Sequence, residues 1–189
     1  MKQWMCLLVI GLLFGAGKPT SSVINQPFPA MEAETVDDEV VNLPADTKGR
    51  ITLVGLAYSK KSEKDLTTWM DPVFNTFIKQ KLNPDSGGLF SSFTYDIDVY
   101  LIPMFTGVKA AAAGTAKRKA AKGIDQRLLP YILFYQGKLK PYKEALDFEK
   151  KDIPYFFLLD EAGKIVCATS GRYSEVKMNK IEEAIDGLE

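Results

Sequence analysis

Hydrophobic and polar residues follow one another in a pattern that predicts a mixed α/β chain. Residues 51–57 and 97–105 are nearly continuous apolar runs, typical of strands covered by helices on both faces of a sheet. Ser62 is expected to cap a helix between them, with Asp65 three residues later. Apolar residues at helical spacing predict its buried face; they are Leu66, Trp69, Met70, Val73, Phe74, Phe77 and Ile78. Pro72 lies inside this pattern and predicts a kink or a break.

The remaining segments complete the order of elements. Residues 31–36 and 40–43 flank an Asp-Asp-Glu turn and predict an N-terminal β-hairpin. Residues 153–168 predict a second hairpin around an Asp-Glu-Ala-Gly turn. Further helices are expected at residues 107–124, at residues 138–148 and after Ser174. This order predicts an α/β fold, a three-layer α/β/α sandwich with a central mixed sheet and an added N-terminal β-hairpin.

The first residues of the chain have a different composition from the rest. Lys2 is followed by an apolar run at residues 5–14 and by Gly-Ala-Gly, the order of features in a secretory signal peptide. We expect three parts: a signal peptide at 1–17, a flexible lead-in at 18–30, and a single domain at 31–189. A periplasmic or secreted bacterial protein is therefore predicted, with an uncleaved N-terminal membrane anchor as the alternative.

Charge balance and missing residue types argue against several functions. The 24 Lys and Arg residues equal the 24 Asp and Glu residues, so that net charge gives no reason to expect nucleic acid or an anionic membrane as a partner. A basic segment from Lys109 to Arg127 favours a solvated helix face, with anionic lipid or an acidic partner as the alternative. The chain has no histidine, which excludes His-containing metal sites and Ser-His or Cys-His nucleophile pairs. We expect no metal and no cofactor.

Cysteine usage limits the redox chemistry available. Cys6 lies in the predicted signal peptide, which leaves Cys167 as the one cysteine of the mature chain and permits no internal disulfide. Cys167 lies in a predicted strand, away from any helix N-terminus that would lower its pKa. Its position favours core packing, and the alternative is a lone reactive thiol.

The junction after the first apolar strand reads Tyr58-Ser59-Lys60-Lys61-Ser62. Together with Pro154 and the Asp160-Glu-Ala-Gly163 turn, it resembles the thioredoxin-like superfamily, and in particular its periplasmic thioredoxin-like and peroxiredoxin-like members. In that superfamily the junction carries Cys-x-x-Cys, and a cis-proline faces it. Here serines stand at both cysteine positions, and a serine hydroxyl neither ionises near neutral pH nor forms a disulfide. The resemblance therefore implies a thioredoxin-like fold without thiol redox chemistry.

A second resemblance covers residues 130–183. The segment is similar to a mitochondrial family that helps assemble the membrane sector of ATP synthase and has a thioredoxin-like fold. The matching patterns are Tyr135-Gln136-Gly137, residues 142–146, residues 155–160, Gly163-Lys164-Ile165 and Ser170-Gly171. Trp69 and Pro72 fit the family as well, whereas Pro154 departs from its pattern. This resemblance implies a role in assembling a protein complex.

The sequence thus predicts a non-redox, chaperone-like binding or assembly protein of the bacterial cell envelope. A thioredoxin-like groove holds an extended segment by main-chain hydrogen bonds, and this mode needs no cysteine. The residues expected to bind the partner are Tyr58, Ser59, Lys60, Lys61, Ser62 and Pro154. The expected partner is a polypeptide or an envelope membrane-protein complex, not nucleic acid. The alternatives are a thiol-dependent oxidoreductase or peroxidase that uses Cys167, and a structural component of an envelope complex.

Overall fold

The computed structural model describes residues 23–79, 95–107 and 113–188. The predicted signal peptide lies outside these ranges. The strands are β1 (Met31–Glu34), β2 (Val40–Leu43), β3 (Thr52–Ala57), β4 (Asp98–Thr106), β5 (Tyr135–Gly137), β6 (Tyr155–Leu159) and β7 (Ile165–Ser170). The helices are α1 (Lys60–Val73), α2 (Ala113–Gly123), α3 (Lys140–Ala145) and α4 (Glu175–Asp186). In the described ranges, no helix has both the length and the apolar character needed to cross a membrane.

The central sheet is mixed and has the strand order β5-β4-β3-β6-β7. β3 pairs in parallel with β4 and antiparallel with β6, so that it lies at the centre of the sheet. All six residues of β3 are buried, as its continuous apolar character predicts. β1 and β2 form the predicted antiparallel N-terminal hairpin outside this sheet.

Helices α1 and α4 cover one face of the sheet, and α3 and the hairpin cover the other. Trp69 of α1 and Ile181 of α4 pack with Phe156 in one apolar cluster. Met31 of β1 and Tyr142 of α3 belong to the cluster on the other side, which also holds Tyr155, Phe157 and Leu159 of β6. Successive residues of a strand point to opposite faces, and this alternation is what divides β6 between the two clusters. The predicted three-layer α/β/α sandwich with an added hairpin is confirmed.

Residues 23–30 pack against the domain. The backbone N–H of Asn25 donates to the Ile165 carbonyl at 2.8 Å, and Ile165 donates back to Gln26 at 2.9 Å. Val23 and Phe28 are buried in the cluster that contains the hairpin. The described part of the segment predicted as a flexible lead-in is therefore held along β7.

Helix α1 begins earlier than the sequence pattern predicts. Ser59 is the N-cap: its Oγ accepts from the Ser62 N–H at 3.1 Å, and Ser62 Oγ accepts from the Ser59 N–H at 2.8 Å. This reciprocal pair is a capping box in which Ser62 occupies the third helical position. The prediction that Ser62 is the cap is therefore wrong. Ser59 caps the helix one turn earlier, and Ser62, three residues later, completes the capping box. Pro72 does not end α1, which continues into a π-helical turn at Phe74–Ile78.

We predict that Gly55→Ala destabilises the fold. A Cβ on Gly55 would lie 2.6 Å from Phe156 Cε1 and 2.9 Å from Leu101 Cδ2, in the middle of β3. Overpacking of a core costs about 1–3 kcal/mol in the free energy of unfolding, which urea titration measures. Gly114→Ala is the matched control, since nothing lies within 4 Å of its Cβ position in α2. The control should be neutral or stabilising by up to about 1 kcal/mol. Equal effects of the two changes would contradict the prediction.

Candidate functional site

The junction between β3 and α1 places two serine hydroxyls side by side. Ser59 Oγ and Ser62 Oγ are 3.2 Å apart, and the two residues are 5% and 0% exposed. These are the positions that the resemblance assigns to Cys-x-x-Cys. Within the capping box each serine oxygen accepts from the backbone N–H of the other residue, so both hydroxyls stabilise the helix N-terminus.

A distant segment closes over this serine pair. Ser59 Oγ donates to Asp152 Oδ1 at 3.0 Å, which joins two residues that are 93 positions apart. Tyr58 OH donates to the Lys150 carbonyl at 3.0 Å. The loop before β6 is therefore hydrogen-bonded to the start of α1 at two neighbouring residues.

Aromatic stacking also joins the loop before β6 to the start of α1. The Phe148 ring lies 5.3 Å from the Tyr58 ring and 4.6 Å from the Tyr155 ring, and both pairs are stacked. Tyr155 OH accepts from the Lys150 N–H at 2.7 Å. Burial, together with the nearby Tyr155 and Asp152, raises the pKa of Tyr58 to about 12, so that its phenol remains a hydrogen-bond donor at neutral pH.

Pro154 directly precedes β6, whose start pairs with the end of β3, and its peptide bond has the ordinary trans geometry. The Ile153–Pro154 bond is trans, and among the described residues the cis bond is Leu43–Pro44. The expectation of a cis-proline at 154 is therefore wrong. Trans is the favoured state of an X–Pro bond, and here the Pro154 carbonyl accepts from the Gly171 N–H at 2.8 Å and so extends the β6–β7 pairing.

The six residues predicted to bind a partner differ in exposure. Tyr58, Ser59, Ser62 and Pro154 are buried, whereas Lys60 and Lys61 are exposed on the first turn of α1. The structure thus brings the predicted residues together around the junction, but the surface they offer is mainly that of the two lysines.

An apolar groove beside α1, which we call the α1 groove, was missed by the sequence reasoning. It has a volume of about 720 Å³ and begins at Tyr58 and Lys60. Its other principal lining residues are Lys64, Leu66, Met70, Phe105, Lys119 and Ile124. Met70 belongs to the predicted apolar face of the helix, but in the structure it is only partly buried and lines the groove. The groove joins the predicted binding junction to the end of β4 and to α2.

Cys167 lies in β7 opposite Leu158 and is 4% exposed. Its Sγ is 3.8 Å from the Lys180 carbonyl of α4, and burial raises the pKa of its thiol. A buried thiol with a raised pKa is a poor nucleophile, because the thiolate is the reactive form. Core packing is the role that this environment supports.

We predict that Cys167 is protected from alkylation in the folded protein. At neutral pH, a variant that lacks residues 1–22, and with them Cys6, should react with iodoacetamide at least about a hundredfold more slowly when folded than when unfolded in urea, because access requires opening of the β7–α4 contact. Mass spectrometry of timed samples measures the rate. Reaction as fast in the folded state would contradict the prediction and would support the alternative of a reactive thiol.

Lys117, in the basic segment predicted on the surface, is buried. Lys117 of α2 pairs with Glu34 at 3.1 Å and with Asp38 at 2.6 Å, both in or beside the β1–β2 hairpin. Its ammonium also lies 5.9 Å from the Phe134 ring centroid. This lysine attaches α2 to the hairpin. In the described ranges, no three His, Cys, Asp or Glu side chains are grouped as metal ligands.

Comparisons with known proteins show which solved structures share this fold. No protein-family model and no curated protein matches the chain. A SCO1/SenC family lipoprotein from Bacillus anthracis str. Ames is 14% identical with a TM-score of 0.57, covering 87% of this chain and 95% of its own. BsSco, a member of the Sco family of cytochrome c oxidase assembly proteins, is 13% identical with a TM-score of 0.56, covering 87% and 96%. A thio-disulfide isomerase from Thermus thermophilus is 14% identical with a TM-score of 0.52, covering 88% and 98%. The chain is similar to these proteins in fold, which is thioredoxin-like.

Proposed function

We propose that this thioredoxin-like chain is a non-redox binding or assembly protein. The observation that carries the proposal is the serine pair at the start of α1, where Ser59 and Ser62 hydrogen-bond each other and Ser59 also donates to Asp152. A thioredoxin-like oxidoreductase needs a thiolate at this place, and a serine hydroxyl supplies neither the charge nor the disulfide. The buried Cys167, with its raised pKa, gives the rival thiol-dependent activity little support.

The proposed partner is a polypeptide or an envelope membrane-protein complex, bound near residues 58–62 and Pro154. The exposed Lys60 and Lys61 and the adjoining α1 groove provide the accessible surface there. Solved structures of the same fold include a protein described as a cytochrome c oxidase assembly protein, which supports assembly as the type of role. The resemblance of residues 130–183 to ATP synthase assembly proteins points to the same type of role, with a different complex.

The proposed location is the bacterial cell envelope. The composition of residues 1–17 supports a signal peptide, with residues 18–30 leading into the domain at 31–189. One structural neighbour is described as a lipoprotein, which is an envelope protein class. Expression of the full chain with a C-terminal tag, followed by fractionation and intact-mass measurement, tests both export and cleavage near residue 17.

Photo-crosslinking in the source organism tests the binding site. A benzophenone amino acid is placed at Lys61, beside the serine pair, or at Lys48, an exposed residue before the opposite end of β3. We expect a discrete crosslinked protein band from position 61 and none of the same mass from position 48. Absence of the band at 61, or the same band from both positions, would overturn the proposed site.

A further inference from the structure

We infer that the α1 groove receives an acidic, apolar-anchored segment of a protein partner. This inference rests on the proposed function and specifies the chemistry of the partner. It joins three observations, which are the shape of the groove, the charge of its rim and its continuity with the junction at Tyr58.

The shape of the α1 groove suits a polypeptide segment. Along one wall it follows α1 from Lys60 to Met70, a rise of about 15 Å along the helix axis. This length matches about three turns of a bound helix or four to five residues of an extended segment. Apolar side chains line the wall and floor, and Met70, Phe105 and Ile124 among them remain partly exposed. Flexible methionine side chains adapt well to an apolar anchor of a partner.

The rim of the groove is positively charged. Lys60 and Lys64 lie one turn apart on α1, and Lys119 lies across from them on α2. Within the described residues, none of these three lysines takes part in an ion pair. Glu63 is the acidic residue among the described lining residues, so that three lysines and one glutamate give these residues a net charge of +2. The N-terminus of α1 adds positive potential at the Lys60 end.

This local charge stands out because the whole chain is neutral, with 24 basic and 24 acidic residues. Lysines on two separate helices are matched by several carboxylates spread along a segment, whereas a fatty acid offers one carboxylate. Electrostatic complementarity of this kind steers association and selects among partners. The favoured occupant is therefore a polypeptide with apolar anchors for the floor and Asp or Glu residues for the rim.

Selection from a display library of random 12-residue peptides tests the inference on the full, folded chain. We expect enriched peptides to carry at least two Asp or Glu residues together with apolar residues at i and i+3 or i+4. Fluorescence anisotropy then gives the affinity of a labelled enriched peptide. Lys64→Glu/Lys119→Glu should weaken binding about tenfold or more, and 0.5 M salt should weaken binding to the unmodified chain.

Lys48→Glu/Lys138→Glu is the matched control, because it makes the same charge change at exposed lysines that do not line the groove. The control should bind the peptide within about twofold of the unmodified chain. Met70→Glu places a charge on the groove wall and should also weaken binding, whereas circular dichroism should show each variant folded.

Three outcomes would overturn the inference. The first is enrichment of basic or uncharged peptides, or of none. The second is equal loss of binding in the groove and control variants. The third is displacement of the peptide by oleate at lower concentration than by unlabelled peptide, which would identify a lipid site. Failure here leaves the crosslink at position 61 as a separate measure of the proposed function, so that the two failures are distinguishable.

Discussion

Replacing Ser59 and Ser62 together by cysteine is expected to create a reversible disulfide at the start of α1. The two Oγ atoms are already 3.2 Å apart, and an S–S bond of about 2.05 Å requires only a small further approach. The capping arrangement holds both side chains on the same side of the first helical turn. Air or glutathione oxidation should convert nearly all of the double variant to a form without these free thiols, and dithiothreitol should restore them.

Thiol counting with a maleimide reagent under denaturing conditions measures the result, with Cys167 replaced by Ala and residues 1–22 removed in every sample. The single variants Ser59→Cys and Ser62→Cys are the controls and should keep a free thiol under the same treatment. A folded double variant whose thiols stay free under oxidising conditions would show that the junction lacks the Cys-x-x-Cys geometry.

Asp152 should control the chemistry of the thiol introduced at position 59. The N-terminus of α1 lowers the pKa of such a thiol, whereas the Asp152 carboxylate, which lies 3.0 Å from Ser59 Oγ, raises it. In the reduced double variant, Asp152→Asn should therefore lower the pKa and accelerate alkylation at pH 7. An unchanged alkylation rate would indicate that the carboxylate moves away when sulfur replaces oxygen.

Trp69→Ala is expected to be the most destabilising single change in α1. The Trp69 side chain is fully buried, and its ring centroid lies 4.0 Å from that of Phe156 and 5.4 Å from that of Tyr173. Its Nε1–H donates to the Gly171 carbonyl at 2.9 Å. Truncation leaves a large cavity and an unpaired carbonyl, and the expected cost is about 3–5 kcal/mol in the free energy of unfolding. Most domains have a total stability of only about 5–15 kcal/mol.

Guanidinium titration monitored by far-ultraviolet circular dichroism measures this cost. Trp69→Phe is the matched control, because it keeps an aromatic ring against Phe156 but loses the hydrogen bond to Gly171. The control should lose less than Trp69→Ala. A cost below about 1 kcal/mol for the alanine variant would mean that α1 does not depend on this contact for its attachment to the sheet.

The local patterns in the chain predicted the fold well because each depended on neighbouring residues. Each pattern shows which side chains of one element are buried. Examples are the continuous apolar run that forms β3 and the helical spacing that includes Trp69. The start of α1 was predicted less well, because both Ser59 and Ser62 are good capping residues and only the reciprocal hydrogen bonds decide between them. Pro72 disrupts an isolated helix, yet here the helix continues as a π turn whose Phe77 and Ile78 are buried.

The candidate site could be located from the sequence but not described from it. The positions of Tyr58, Ser59 and Ser62 followed from the strand-to-helix junction. Asp152 contacts Ser59 and Phe148 stacks on Tyr58 only in the folded chain, because these partners lie about 90 positions away in the sequence. The α1 groove was missed for the same reason, since its walls come from α1, β4 and α2.

Residue types and their spacing along the chain suffice to establish the order of elements, the lack of histidine and the presence of serines at the junction. These are local properties, because secondary structure and side-chain chemistry depend on a residue and its near neighbours. Which of the junction residues are buried, the trans geometry at Pro154 and the positive rim of the groove were decided by tertiary structure. The physical reason is that burial and the clustering of charge are properties of surfaces that segments far apart in the chain build together.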